Sequence, residues 1–302
     1  MAADSSPTLI VIAGPTAVGK TDIAIRVAQQ LGTEILSADS RQCYQGMAIG
    51  TAQPSPEEQR LVRHHFINDQ PVTRAISAAD YETLALQYLD DIFSRHHTAV
   101  TCGGTGLYIK ALCEGLDEMP AENPQVAQAV NEGYQAQGLT WLQQQVKAED
   151  PLFFSSGETD NPARLIRALS FVRSTGLSIL QFRTGIKKKR PFRIVKTALE
   201  LPRELLYDRI NRRVDLMMAQ GLEAEARALL PLRHLKNLNT VGYSELFDYF
   251  DGKCSLAEAC ALIAQHSRNY AKRQLTWFRK DTKFHWFRAD DANVVQRIIG
   301  SE

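Results

Sequence analysis

An eight-residue glycine-rich stretch near the start of the chain constrains its fold more than any other feature. The stretch reads Gly14-Pro15-Thr16-Ala17-Val18-Gly19-Lys20-Thr21 and fits the pattern G-x-x-x-x-G-K-[ST] at every fixed position. An apolar, β-branched run at residues 9–13 precedes it, and residues 23–31 behind it mix apolar and polar side chains as an amphipathic helix does. In this order, the loop N–H groups and the helix N-terminus face one oxyanion, Lys20 adds a positive charge, and the Thr21 hydroxyl is suited to bind Mg²⁺. The stretch therefore predicts a site for a pyrophosphate or polyphosphate, and we call it the phosphate loop.

A carboxylate follows the second predicted strand. Residues 33–37 read as a short strand that leads into Ala38-Asp39-Ser40-Arg41-Gln42. Because the carboxyl ends of parallel strands share one edge of a sheet, we expect Asp39 beside the phosphate loop. Its position suits each of three roles: an Mg²⁺ ligand, a general base, or the cap of the following turn.

A second glycine-rich turn follows a third predicted strand at residues 97–102. It reads Gly103-Gly104-Thr105-Gly106-Leu107-Tyr108, and we call it the second glycine turn. Alone, such a segment is compatible with an ordinary turn. At the carboxyl end of a neighbouring strand it predicts a second wall of the same cleft, with the Thr105 hydroxyl facing the reacting atoms.

The pattern of predicted elements changes twice along the chain. Residues 1–113 predict the first part of a P-loop core, and a strand at residues 192–201 resumes that core within residues 191–302. Between them, residues 114–190 contain amphipathic helical stretches at 126–137, 139–149 and 163–174. We therefore predict an α/β protein with a P-loop NTPase-like parallel sheet flanked by helices, a helical insertion domain at residues 114–190, and basic C-terminal helices.

Charge is distributed unevenly along the chain. The net charge is +1, but residues 1–160 have 9 Lys and Arg against 20 Asp and Glu, and residues 161–302 have 26 against 14. The two balances are therefore −11 and +12. A basic half suits a nucleic-acid partner, although solvated faces of a dipolar protein give the same counts. Residues 267–280 interleave cations with aromatic rings at helical spacing, which suits RNA, although some of these rings must pack inward.

Several protein classes do not fit the sequence. No apolar run approaches the ~20 residues of a membrane span, and residues 1–7 lack the features of a signal peptide. The five cysteines contain no C-x-x-C pair, which argues against a disulfide framework or a zinc site. The neighbours His64 and His65 lack a third ligand and read as surface residues. We expect a cytoplasmic protein without membrane contact, and we expect a monomer.

Six segments together resemble one family, the tRNA dimethylallyltransferases, also called tRNA isopentenyltransferases. They are the phosphate loop, Ser37-Ala38-Asp39-Ser40-Arg41-Gln42, the second glycine turn, Arg164-Leu165-Ile166-Arg167-Ala168-Leu169, Val241-Gly242-Tyr243-Ser244-Glu245 and Ala271-Lys272-Arg273-Gln274-Leu275-Thr276-Trp277. The resemblance spans residues 9–279, and no zinc-finger spacing follows, as in the short bacterial form. Ser170, Ala127 and Ser267 depart from the family pattern and bear on the tRNA grip rather than the reaction.

The resemblance implies transfer of a dimethylallyl group from dimethylallyl diphosphate to N6 of the adenosine 3′-adjacent to the anticodon of tRNA, with release of diphosphate. The phosphate loop would bind the donor's diphosphate rather than ATP, with Mg²⁺ on Thr21. Asp39 would be the general base, Thr105 would place the amine, and Lys20 and Arg213 would stabilise the leaving group. The tRNA anticodon stem-loop would contact Asp39, Ser40, Arg41, Gln42, Thr105, Ala163, Arg164, Leu165, Ile166, Arg167, Thr240, Val241, Gly242, Tyr243, Arg268, Lys272, Arg273 and Gln274.

Two other functions fit parts of the sequence. A small-molecule kinase shares the phosphate loop but requires neither the basic half nor the segment at residues 271–277. A nucleotide-gated RNA-binding protein requires the loop and a basic face but no base at Asp39.

Overall fold

The computed structural model describes residues 6–301. Contacts divide them into two compact units, one that joins the residues up to Gly115 with those from Lys189 onward, and one that is Leu116–Lys188. We call these the core unit and the helical unit. Both divisions fall two residues from the boundaries proposed from sequence, at residues 113/114 and 190/191.

Six strands form one parallel sheet in the core unit. They are β1 (Thr8–Ala13), β2 (Ile35–Ser37), β3 (His64–His65), β4 (Thr98–Gly103), β5 (Arg193–Glu200) and β6 (His285–Arg288). The order across the sheet is β3-β2-β4-β1-β5-β6, and each neighbouring pair is parallel. The prediction of a parallel sheet flanked by helices is confirmed.

Helices account for most of the remaining chain. In chain order they are α1 (Lys20–Leu31), α2 (Pro56–Leu61), α3 (Ala78–Phe93), α4 (Gly106–Glu114), α5 (Pro124–Glu149), α6 (Pro151–Ser155), α7 (Pro162–Thr175), α8 (Arg203–Ala219), α9 (Leu222–Leu229), α10 (Tyr243–Phe250), α11 (Leu256–Arg279) and α12 (Val294–Ile299). Within residues 6–301, no helix combines the length and the apolar character needed to cross a lipid bilayer.

The central strand β1 is buried along its whole length because both faces of the sheet are covered. Its side chains alternate between two apolar cores: Leu9, Val11 and Ala13 enter one, and Ile10 and Ile12 enter the other. A continuous apolar strand of this kind requires a covered parallel sheet. Beyond the carboxyl end of β1, the chain first becomes partly exposed at Thr16, so a site can form there.

The helical unit has an apolar core of its own, supplied by α5, α6 and α7 with the turn that follows. The buried members are Val130, Leu142, Val146, Phe153, Leu165, Ala168, Leu169, Phe171 and Ile179. Gly138, with φ of +76°, breaks the helical backbone of α5 between the two stretches predicted at residues 126–137 and 139–149.

Sequence analysis missed β3 and β6 and misplaced one histidine. The two residues of β3 are too few to give a periodic signal, and they pair with β2. The prediction of a surface side chain is wrong for His65, which is 5% exposed with Nε2 2.5 Å from a carboxylate oxygen of Glu34. Burial follows from the strand pairing and the acidic partner, neither of which the local sequence contains.

Candidate active site

The phosphate loop joins the end of β1 to the start of α1, as predicted. Gly14 and Gly19 have φ of +150° and +103°, which other residues rarely adopt, so both glycines are required by the backbone. At Gly14 a Cβ would also lie 2.9 Å from the carbonyl oxygen of Leu199. Lys20 folds back over the loop, and its Nζ donates to the carbonyl of Pro15 at 2.7 Å. The Lys20 ammonium is thus held by a carbonyl of the loop itself.

The cations of the site are held in surroundings that disfavour their charge. Burial lowers the pKa of Lys20 to about 8, and this effect exceeds the opposing influence of the Cys102 thiol and the Asp39 carboxylate. Burial also lowers the pKa of Arg213, again against the influence of Asp39. A bound anion would restore the favourable surroundings of both cations, so the site is arranged to bind an anion.

Two helices from the second half of the chain hold the phosphate loop at Thr16. From α11, the Gln274 Oε1 accepts a hydrogen bond from the Thr16 N–H at 2.8 Å. From α8, Arg213 Nη1 donates to the Thr16 hydroxyl at 3.3 Å, and Arg209 Nη1 donates to the carbonyl of Val18 at 3.1 Å. These contacts bring the predicted Arg213 to the phosphate loop, together with Arg209.

The Asp39 carboxylate lies at the carboxyl end of β2, beside the phosphate loop. Its Oδ1 accepts hydrogen bonds from the N–H groups of Arg41 at 2.9 Å and Gln42 at 3.3 Å, so one oxygen caps the turn. Within residues 6–301, no recorded hydrogen bond engages Oδ2. One carboxylate therefore serves the turn with one oxygen and leaves the other for chemistry in the cleft.

The second glycine turn forms the opposite wall of the cleft. The Thr105 hydroxyl accepts a hydrogen bond from the Ser40 N–H at 3.0 Å, which joins this turn to the Asp39 segment. Gly103 packs so closely on Ala38 that a Cβ would lie 2.2 Å from its carbonyl oxygen. On the other side lies Tyr270, whose pKa the Thr105 side chain acts to lower, against the larger effect of burial.

These walls enclose a cavity of about 640 Å³. Of the predicted residues, Thr16, Ala17, Gly19, Lys20, Thr21, Asp39, Ser40, Arg41, Gln42, Arg213, Thr240, Val241, Gly242, Arg273 and Gln274 line it. Gly14, Pro15, Val18 and Thr105 do not line it. The structure thus brings together the predicted phosphate, carboxylate and C-terminal segments.

Other predicted residues of the core unit lie outside the lining. Tyr243 is fully buried, and its hydroxyl donates to Glu225 at 2.7 Å. Arg268 donates to Asn211 Oδ1 at 2.6 Å, and Lys272 is exposed on α11.

The predicted segment at residues 163–167 lies on α7 of the helical unit. Ala163, Arg164 and Arg167 are exposed and Ile166 is half-buried, whereas Leu165 is fully buried in the core of that unit. The Leu165 side chain therefore stabilises the helical unit and does not reach a ligand.

Sequence reasoning missed Tyr270 and the apolar part of the cavity. Tyr270 lines the cavity, and burial followed by the charge of Asp39 raises its pKa to about 12. Ile210, Val214 and Met217 also line it, one helical turn apart along α8. Ile210, Arg213 and Met217 are spaced by three and four residues, which indicates that they share one face of a helix. The sequence does not show whether that face meets a cavity or an apolar core.

The residues around Thr21 determine what kind of metal ion would fit. Thr21, Asp22 and Asp39 line the cavity, while residues 6–301 contain no group of three or more His, Cys, Asp or Glu placed to hold a metal. Mg²⁺ needs few protein ligands because it keeps waters and binds substrate phosphates. A hydroxyl beside a phosphate loop fits that ion better than Zn²⁺, which prefers nitrogen and sulfur ligands.

Comparison with known proteins gives one consistent result. A family model described as IPP transferase matches residues 42–281. The tRNA dimethylallyltransferase of Christiangramia forsetii is 46% identical over 283 residues, which cover 94% of this chain and 94% of that protein. The tRNA dimethylallyltransferase 1 of Phocaeicola vulgatus is 43% identical over 294 residues, covering 97% and 98%.

A solved structure agrees with these relatives. The crystal structure of the full-length tRNA isopentenylpyrophosphate transferase of Bacillus halodurans matches with a TM-score of 0.71 and 35% identity, covering 97% of this chain and 94% of that one. Sequence and fold therefore agree over nearly the whole chain. This chain belongs to the IPP transferase family.

Proposed function

We propose that this protein is a tRNA dimethylallyltransferase. It transfers a dimethylallyl group from dimethylallyl diphosphate to N6 of the adenosine 3′-adjacent to the anticodon of tRNA and releases diphosphate. The observation that carries the proposal is one cavity lined by both Lys20 and Arg213, for a diphosphate, and Asp39, for a proton. The family of the chain favours this reaction over phosphate transfer by a kinase.

The donor binds with its diphosphate on the phosphate loop. Lys20 and Arg213 stabilise the charge that grows on the diphosphate as the C1–O bond breaks. Thr21 would hold Mg²⁺, which would supply further charge neutralisation on the diphosphate. Ile210, Val214 and Met217 offer the dimethylallyl carbons an apolar surface on α8.

The acceptor amine enters the cavity beside Asp39. The lone pair of N6 forms the new bond to C1, the electron pair of the C1–O bond leaves with the diphosphate, and the N6 proton moves to Asp39 Oδ2. Oδ1 stays on the N–H groups of Arg41 and Gln42, so the carboxylate keeps its orientation while it accepts the proton. The target base must leave its stack to reach this position.

The anticodon stem-loop is gripped by cations on both units. Lys272 and Arg273 are exposed on α11 beside the cavity-lining Gln274, and Arg164 and Arg167 are exposed on α7. Their role is to bind phosphates of the tRNA, which would make binding strongly salt-dependent. The protein acts as a monomer, since the residues of one chain line the cavity, and its place of action is the cytoplasm, where tRNA is available.

The proposed base is tested by the isosteric change Asp39→Asn. Asparagine still accepts the two turn hydrogen bonds through its oxygen, so the fold and both substrate affinities should be retained. Loss of the base should lower the single-turnover rate from radiolabelled dimethylallyl diphosphate to undermodified tRNA by about 10²–10⁴-fold. Asp208→Asn, an exposed carboxylate on α8, is the matched control and should transfer label normally.

Three outcomes would contradict parts of this assignment. A normal rate in a stable Asp39→Asn variant would exclude the base, and rescue by excess Mg²⁺ would make Asp39 a metal ligand. Wild-type protein that phosphorylates a small acceptor from ATP, without labelling tRNA, would be a kinase. Wild-type protein that binds tRNA but catalyses neither reaction would be an RNA-binding protein.

A further inference from the structure

The side chain of Gln274 connects the two walls of the cavity. Its Oε1 accepts from the Thr16 N–H in the phosphate loop at 2.8 Å, and its Nε2 donates to the Gly104 carbonyl in the second glycine turn at 2.9 Å. The residue is 5% exposed. A Cβ at Gly104 would lie 2.2 Å from Nε2, so the turn approaches the amide as closely as its backbone permits.

The two ends of this connection carry different parts of the reaction. Thr16 belongs to the loop that faces the diphosphate, and Arg213 holds its hydroxyl. Gly104 precedes Thr105, whose hydroxyl accepts from the N–H of Ser40 in the segment that contains Asp39. A single planar amide therefore joins the phosphate side to the acceptor side, just beyond the point where β1 and β4 pair at Ala13 and Gly103.

We propose that Gln274 is a positioning residue that fixes the diphosphate of the donor relative to the attacking amine, an inference that rests on the proposed function. Its Oε1 and its Nε2 each make a hydrogen bond within the protein, and through these bonds it acts on the second glycine turn rather than on tRNA. This replaces the tRNA contact that the family resemblance implies for Gln274. The exposed neighbours Lys272 and Arg273 remain available for the RNA.

The chemistry of the amide explains why glutamine suits this position. One wall presents an N–H and the other a carbonyl, so the bridging side chain must accept at one end and donate at the other. Glutamate would lack the donor and would bring a buried negative charge towards the phosphate site. Methionine has a similar length and volume but offers neither strong group.

The test compares Gln274→Met with Gln274→Asn and with a control on the same helix. Asparagine keeps the amide but is one methylene shorter, so it reaches only one wall. The control is Gln265→Met, because Gln265 is exposed on α11. Each variant is assayed for single-turnover transfer with saturating donor and tRNA, for both KM values, and for its melting temperature.

We expect a split between rate and binding. Gln274→Met should lower the saturated rate about 10- to 100-fold, because a small misplacement of reacting groups has effects of this size. The KM values for donor and tRNA should change much less, and Gln265→Met should behave as wild type. The Asn variant should lie between the two, and it also provides the test if the Met variant does not fold.

Two results would overturn the inference while leaving the proposed function intact. One is a folded Gln274 variant with the wild-type saturated rate. The other is a defect confined to the KM for tRNA, which would restore a direct contact with RNA. Wild-type protein that fails to label tRNA would overturn the proposed function, and this inference with it.

Discussion

The phosphate loop and the second glycine turn both end strands of the same sheet, yet their glycines serve different purposes. In the phosphate loop, Gly14 and Gly19 provide backbone angles that other residues rarely adopt. In the second turn, Gly104 and Gly106 provide space, because a Cβ would meet Gln274 at 2.2 Å and Trp277 at 2.1 Å. Backbone angle requires glycine at both positions of the first turn, whereas the space occupied by α11 requires it at the two positions of the second.

The packing partners of the second turn come from one face of α11. Gln274 donates a hydrogen bond to Gly104, Trp277 lies against Gly106, and the Thr105 side chain acts to lower the pKa of Tyr270. The spacing of four and three residues puts all three on the same side of a helix. The segment at residues 271–277, part of the family resemblance, is therefore a structural support for the second glycine turn as well as a carrier of the exposed cations Lys272 and Arg273.

The largest expected effect is on the transfer rate and comes from removing the Lys20 charge of the phosphate loop. Lys20→Met should remove about 2–4 kcal/mol of transition-state stabilisation, because the charge counts most as diphosphate departs. Burial already disfavours that charge, so the unligated variant should melt no lower than wild type. Single-turnover transfer and a thermal melt measure both quantities, and nearly normal transfer would contradict the proposed role.

A smaller effect distinguishes space from backbone angle. Gly106→Ala should destabilise the fold by about 1–3 kcal/mol through overcrowding against Trp277. The same Gly106→Ala change should cost less stability when it is made in the Trp277→Ala variant, because the crowding ring is then absent. Gly19→Ala is the contrasting case: its φ is +103°, and among residues 6–301, apart from its chain neighbours, a Cβ there would approach only Arg209 Nη1, at 3.4 Å.

In that contrasting case the strain lies in the backbone, so Arg209→Ala should give no recovery. Urea unfolding of the single and double variants measures the coupling in each pair. Equal coupling energies for the Gly106/Trp277 and Gly19/Arg209 pairs would contradict the distinction between space in the second turn and backbone angle in the first.

The smallest effect concerns the pH dependence of pyrophosphate binding at the phosphate loop. Below about pH 8, Lys20 of the free protein is protonated, and above it the side chain is largely neutral. A bound anion raises the pKa again, so binding at higher pH must take up a proton. The affinity should then fall by up to about tenfold for each further pH unit. The affinity is measured by calorimetry at several pH values for the wild type and for Lys20→Met, in which only the ligand's own titration remains. If affinity changes with pH in the same way in both proteins, Lys20 is not the cause of the pH dependence.

The sequence by itself determined the parts of this protein that short stretches of chain encode. The phosphate loop, the buried strand before it and the helix behind it are adjacent in sequence, so their pattern was sufficient. Asp39 could be placed at the loop because carboxyl ends of parallel strands share one edge. The helical insertion was recognisable because its periodicity differs from that of strands.

Only the tertiary structure decided how the second wall of the site is built. Thr16 and Gln274 are separated by 258 residues in the chain, and no local pattern indicates that their polar groups meet. The burial of His65 beside Glu34 likewise follows from a strand pairing rather than from its neighbours in sequence. Hydrogen bonds and close packing act over a few ångströms, so they depend on which distant segments the fold brings together.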